Sequence, residues 1–156
     1  RVNDAHGHAA GDAVLMQMRG RLEPVFRATD WLVRWGGEEF LIVARSISRQ
    51  HAAELAERVR AAVAGQPFVL DDGRLLQRSC SLGFACFPLA VAHPRALDWS
   101  ATLDLADAAL YAAKRSGRNA WAGVVDAGGL DESALRQRRS GTEWLEGGEL
   151  RLLRSG

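Results

Sequence analysis

The stretch RWGGEEFLIV, residues 34–43, sets two glycines and two adjacent glutamates between apolar runs. With WLV (31–33) ahead of it, it reads as strand, tight turn, strand, because Gly36-Gly37 accepts the positive φ angles of a primed hairpin turn. Like charges side by side repel and glycines weaken strands, so the stretch is poor architecture taken alone. A cation bound at the tip turns the repulsion into joint attraction. Carboxylate oxygens are hard donors that suit Mg²⁺ or Mn²⁺, and those ions in turn suit nucleotide phosphates. A solvated acidic turn is the bland alternative, and four residues alone do not decide between the two.

Outward from the hairpin the periodicity changes. Upstream, DAVLMQMRGRLEPVF (12–26) carries apolar side chains at 14, 15, 18, 22, 25 and 26, a helical stripe that Asp12 can cap, fed by the polar loop RVNDAHGHAAGD. Downstream, Ala52, Leu55, Ala56, Val59 and Val63 predict a second amphipathic helix from Ser48 to about Ala64, stopped by Gly65 and Pro67. PFVL, the turn DDG and RLLQRSCSLGFACF predict another hairpin, ended by Pro88. A helix from about Ala101 to Arg115, closed by Gly117, and the short strand NAWAGVV complete the regular part. Helix, hairpin, helix, hairpin, helix, strand, without internal repeat, predicts an α+β fold with helices flanking a mostly antiparallel central sheet. Residues 126–156 lose clear periodicity. The expected division is therefore a domain over 1–125 and a tail of unknown order over 126–156.

Composition narrows the classes. The 156 residues, 47% hydrophobic and 25% charged, suit one globular domain with a sizeable core. The 20 basic and 19 acidic residues nearly cancel, which excludes broad electrostatic attraction to a nucleic acid polymer or an anionic membrane and makes any phosphate site local. The longest apolar runs fall far short of the roughly 20 residues of a membrane span, and no signal peptide heads the chain, so the expected location is cytoplasmic. An anchor upstream of Arg1 is compatible with this reading. Cys80 and Cys86 alternate onto one face of a strand roughly 20 Å apart, beyond disulfide reach, and read as small buried hydrophobes. Nineteen of the 20 basic residues are arginine, and the exception is Lys114.

RWGGEEF resembles the signature of GGDEF domains, the diguanylate cyclase family, in its glutamate variant. The resemblance extends over residues 1 to about 125, with VNDAHGHAAGDAVL (2–15) ahead of the hairpin and LADAALYAAKRSGRNA (105–120) behind it, in the family's order and spacing. It implies the palm-like fold of nucleotidyl cyclases and polymerases, a five-stranded sheet flanked by helices. It implies a reaction that joins two GTP molecules into cyclic di-GMP with release of two pyrophosphates, Mg²⁺ or Mn²⁺ as cofactor, and a homodimer in which each domain holds one GTP. The family's first strand, with a metal-binding aspartate and a Phe-Lys pair, falls just before Arg1 and is absent from this sequence.

The same resemblance assigns roles to residues. Glu38 is a metal ligand and the proton acceptor for the attacking 3′-hydroxyl, and Glu39 completes the metal site. Gly37 lets the backbone lie close to the nucleotide. Asn3, His8 and Asp12 fall in the nucleotide pocket; an amide and a carboxylate together can satisfy a guanine edge, whose N1 and N2 donors adenine lacks. A turn residue at Asn3 and an ordinary helix cap at Asp12 are the bland readings. Lys114 and Arg118 in KRSGRN fall where the family binds the β- and γ-phosphates, although a base near a helix C-terminus commonly does no more than complement the dipole. RATD, separated from Gly36 by five residues, matches the family's RxxD inhibitory site through Arg27 and Asp30, and Arg58 matches a position that in relatives reaches the same bound cyclic di-GMP. An RxxD pattern by itself is usually a surface ion pair.

Two functions fit these residues. One is a diguanylate cyclase subject to product inhibition through RxxD. The other is a catalytically inactive GGDEF domain that binds cyclic di-GMP or GTP as a regulatory module. Paired carboxylates at the turn favour the enzyme, since a receptor has no need of both.

Overall fold

The computed structural model describes residues 2–137 and 140–155, apart from the side chains of Asn3 and Asp4. Two compact units are resolved, one formed by Arg1–Ile47 with Ala61–Ser79, the other by Ser48–Arg60 with Cys80–Gly156. Both the helices and the small, mostly antiparallel sheets of an α+β fold are present.

In the first unit, α1 (Val2–Leu22) runs through a break at Gly7, whose φ of 81° and ψ of 168° leave the helical region. The sequence places the helix start at Asp12 and a polar loop before it. Instead the chain is already helical from Val2, the interruption falls on the glycine that tolerates it, and Asp12 sits inside the helix rather than capping it. Arg21 on α1 organises the far side of the unit. Its guanidinium donates to the carbonyls of Val63 (2.9 Å), Gln66 (2.6 Å) and Pro67 (2.7 Å) and lies 3.7 Å over the centre of the Phe68 ring. Gln17, one turn earlier, exchanges two hydrogen bonds with the Val69 main chain, at 2.7 and 3.0 Å. These bonds fix α1 against β3 (Phe68–Val69), which pairs antiparallel with β4 (Leu75–Leu76).

The hairpin read from the sequence is present as β1 (Trp31–Gly36) and β2 (Glu39–Val43), antiparallel, with Trp31 opposite Val43 and Gly36 opposite Glu39. Its turn differs by one residue. An irregularity between Arg34 and Gly36 leaves Gly36 in the strand, and the two turn residues are Gly37 and Glu38. Only Gly37 has positive φ (53°), as a turn with glycine at its first central position requires.

The second unit begins with a 3₁₀ turn at Arg49–His51, which leads into α2 (Ala52–Ala64); that helix continues into the first unit. The long strand expected over 74–87 is split: after β4 the next strand is β5 (Leu82–Ala85), and Cys80 lies outside any strand. β5 is followed by α3 (Trp99–Arg115), capped by the Asp98 carboxylate, which accepts from Ala101 N at 2.8 Å. The next strand is β6 (Trp121–Val124). β5 and β6 pair in parallel, as a strand, helix, strand connection demands. Residues 126–156 carry α4 (Glu132–Leu135), α5 (Gly141–Glu146) and β7 (Leu153–Arg154), and β7 adds antiparallel to β6. Their side chains Leu135, Trp144 and Leu150 are buried with Leu89, Leu97, Leu105 and Val124 in one cluster. Among the described residues no helix is long and apolar enough to cross a membrane.

Candidate nucleotide and metal site

The hairpin tip presents its functional groups outward. Glu38 and Glu39 are both exposed, and Glu38 has no hydrogen-bond or ion-pair partner among the described residues. A Cβ added at Gly37 would meet no atom within 4 Å, so the main chain there is open to close approach. The turn is fastened from behind by Arg34, whose Nε donates to the Gly37 carbonyl at 3.0 Å. Sequence reading passed over Arg34; its only signal was the i, i+3 spacing to Gly37.

Among the described residues no three His, Cys, Asp or Glu side chains gather as a metal site. The tip therefore contributes two hard carboxylate donors. That set fits a small divalent cation such as Mg²⁺, which is commonly held by one or two carboxylates while phosphates and water complete its octahedron.

His8 and Asp12 stand one helical turn apart on α1, a spacing that puts them on the same face, and both are exposed. Asp12 has no partner among the described residues, so its carboxylate is not consumed by capping. The side chain of Asn3 lies outside the described residues. Lys114, Arg118 and Arg58 are exposed or partly exposed and belong to the second unit.

RATD forms a built turn. Asp30 N donates to the Arg27 carbonyl at 2.9 Å, and the Asp30 carboxylate accepts from Arg27 N at 2.9 Å and from Arg45 N at 2.8 Å. The bland expectation of an Arg27–Asp30 surface ion pair is replaced by main-chain bonds that tie the start of β1 to Arg45, two residues past the end of β2. Those two amides, first Arg27 and then Arg45, hold the Asp30 carboxyl below its ordinary pKa. The Arg27 side chain is left exposed beside it.

The turn after α3 is left-handed over three residues: Gly117 (φ 113°), Arg118 (φ 62°) and Asn119 (φ 45°). Asparagine tolerates that region, but an arginine there costs roughly 1–3 kcal/mol and persists only where neighbours hold it. The neighbours form one bonded group. Arg60 Nη1 donates to Asn119 Oδ1 at 2.9 Å, Arg60 grips Glu57 through two bonds of 2.6 and 2.9 Å, and Trp121 Nε1 donates to Glu57 at 3.1 Å. Ser155 on the C-terminal segment accepts from Trp121 N at 3.1 Å and returns a main-chain bond to Trp121 O at 3.0 Å. Arg60 and its bonds hold the Glu57 carboxyl below its ordinary pKa, and burial pushes the Cys80 thiol up to about 11. Glu57, Arg60, Asn119, Trp121 and Ser155, with Arg154, line an open cleft of about 530 Å³. Glu57 and Arg60 were also missed in the sequence, where only their i, i+3 spacing marked them.

The family model described as diguanylate cyclase, GGDEF domain, matches residues 1–120. Diguanylate cyclase DgcP of Pseudomonas aeruginosa is 40% identical over 119 residues, which cover 76% of this chain and 17% of DgcP. The chain thus spans less than a fifth of the length of that curated relative. Among solved structures, the GGDEF domain of YfiN (TpbB) from Pseudomonas aeruginosa is similar with a TM-score of 0.66 at 33% identity, covering 76% of this chain and 70% of that one. The GGDEF domain of DgcB from Caulobacter crescentus, solved in complex with c-di-GMP, gives a TM-score of 0.65 at 30% identity over 75% of this chain and 66% of that one. On the match over residues 1–120, the chain belongs to the family of diguanylate cyclase GGDEF domains.

Proposed function

We propose that this chain is the catalytic domain of a diguanylate cyclase, which condenses two GTP molecules into cyclic di-GMP and two pyrophosphates. The observation that carries the reading is the hairpin tip, where Glu38 in the turn and Glu39 at the start of β2 are consecutive and both exposed, beside a glycine that leaves the backbone open. Glu38 and Glu39 would hold a divalent cation, Mg²⁺ or Mn²⁺. When bound, that ion neutralises charge that develops on the α-phosphate and the leaving pyrophosphate. Glu38 takes the proton of the attacking 3′-hydroxyl. Asn3 and Asp12, with His8, read the guanine edge; Gly37 admits the nucleotide close to the main chain; Lys114 and Arg118 bind the β- and γ-phosphates. One domain cannot align both 3′-hydroxyls with both α-phosphates, so two copies face each other, each with one GTP. Arg27 and Asp30, with Arg58, take up the cyclic product and inhibit. The domain works in the cytoplasm, where GTP is found.

The test is product chromatography on the full-length protein with GTP and Mg²⁺. The linear dinucleotide pppGpG is expected first and cyclic di-GMP second, with Glu38→Ala lowering kcat on the order of 10²-fold or more while the fold is kept, because an exposed turn loses no core volume. ATP should compete poorly, since a site built on hydrogen bonds to guanine leaves polar groups unpaired against adenine. Turnover that survives Glu38→Ala overturns the assignment. A protein that binds cyclic di-GMP but never consumes GTP supports the regulatory module instead.

A further inference from the structure

We propose that Arg60, locked in place by Glu57, is a positioning residue for Arg118. The inference rests on the reading of Arg118 as a phosphate contact and adds the device that aims it. Arg118 occupies left-handed backbone between Gly117 and Asn119, and its own side chain makes no hydrogen bond or ion pair among the described residues. Nothing at Arg118 itself therefore holds the turn. The hold comes from the next residue, since Asn119 Oδ1 accepts from Arg60 Nη1 at 2.9 Å.

Arg60 suits the task because its fork is divided. Nε and Nη2 take the two oxygens of Glu57, one each, and leave Nη1 to reach Asn119 in a fixed direction. Glu57 is steadied in turn by Trp121 Nε1, on the strand that leaves the turn, and Trp121 is pinned by Ser155. The left-handed turn is thus bracketed on its C-terminal side by one continuous chain of bonds. At its start, Ser116 N donates to the Ala112 carbonyl at 3.0 Å and Ser116 Oγ to the Ala113 carbonyl at 3.0 Å, closing α3. The side chains around the cleft are bonded chiefly to one another, as befits a brace rather than a ligand pocket. A lysine at position 60 offers one point of charge and cannot hold two carboxylate oxygens and an amide oxygen in that fixed geometry.

The experiment compares equilibrium binding of GTP, supplied as its unreactive α,β-methylene analogue, and of GMP, by titration calorimetry with Mg²⁺ present, in the wild-type protein, Arg118→Ala, Arg60→Ala, Arg60→Lys and the double variant Arg60→Ala/Arg118→Ala. Arg118→Ala should lower the preference for GTP over GMP about tenfold. Arg60→Ala should lower the same preference at least about fivefold with GMP affinity unchanged, Arg60→Lys should not restore it, and the double variant should be no worse than Arg118→Ala alone. Asn119→Gly, which keeps the left-handed turn accessible and removes only the acceptor, should lower the preference about threefold and serves if Arg60→Ala does not fold. An intact preference in Arg60→Ala or in Asn119→Gly, an additive double variant, or an equal loss for GTP and GMP overturns the positioning role. An intact preference in Arg118→Ala overturns the phosphate role of Arg118 and the inference with it.

Discussion

Asp30 gives both carboxylate oxygens to main-chain amides, those of Arg27 and Arg45, while the neighbouring Arg27 guanidinium stays exposed. The two residues of one RxxD motif therefore have separable effects. Arg27→Ala keeps the amide that Asp30 binds, so stability should hardly change, whereas affinity for cyclic di-GMP should fall at least tenfold, about 1.4 kcal/mol, through loss of a charge-assisted contact. In an active protein it should also relieve product inhibition without lowering the initial rate. Asp30→Ala should weaken binding and also loosen the base of the hairpin, by about 1–2 kcal/mol for two hydrogen bonds to a carboxylate exchanged for bonds to water. The pH dependence has a definite sign. A carboxyl held below its ordinary value of 3.8 contributes stability that is present above about pH 4 and lost as pH falls through the lower, folded-state pKa. Calorimetry of binding beside acid titration of unfolding checks both halves; an Arg27→Ala protein that binds cyclic di-GMP like the wild type removes this residue from the site.

At the scale of elements, the hairpin shows which features a sequence carries openly. The apolar runs on either side of the glycine pair mark strand, turn and strand, because both signals are local. The turn residues were placed one position early, since the irregularity between Arg34 and Gly36 is set by pairing across the ladder and leaves no mark on composition. Gly36 and Gly37 should consequently differ. Gly37→Ala forces a Cβ into φ 53° and should cost about 1 kcal/mol, whereas Gly36, in the strand with open space at its Cβ, should accept alanine with little change. Urea unfolding of the two variants measures the difference, and equal midpoints would place the turn where the sequence alone put it. The same division between local and non-local signals explains the other elements. The helix starting at Ala52 and the helix over Trp99–Arg115 have clean 3.6-residue stripes and were legible. The first ten residues of α1 carry few apolar side chains and a glycine at the break, so their helicity was hidden. The parallel pairing of β5 with β6 depends on partners separated by the whole of α3, which no window on the sequence contains.

For the molecule as a whole, the recognised signature ends before the structure does. The family match stops at residue 120, yet Leu135 and Trp144, at 0% and 3% exposure, are among the most deeply buried side chains of the second unit. Local periodicity leaves the order of 126–156 open because its helices are short and their apolar residues few; burial against Leu97, Leu105 and Val124 supplies what periodicity does not. The attachment is specific. Gly141 N donates to the Asp104 carboxylate on α3, and a Cβ at Gly141 would collide with the Asp104 carbonyl oxygen, so only glycine lets α5 pack that closely. The α5 start is further fixed by a capping box between Ser140 and Glu143. Arg49 adds hydrogen bonds to the carbonyls of Pro88 and of Val125, the residue just before the segment. Truncation after residue 125 should therefore behave as a core deletion rather than the trimming of a tail. Trp144→Ala alone should cost about 3–5 kcal/mol, the range for emptying a large aromatic site. Gly141→Ala should destabilise by a smaller amount that reflects displacement of α5. Thermal unfolding followed by circular dichroism is the measurement. A protein ending at 125 that unfolds with the wild-type midpoint would show that the segment covers a core already complete without it.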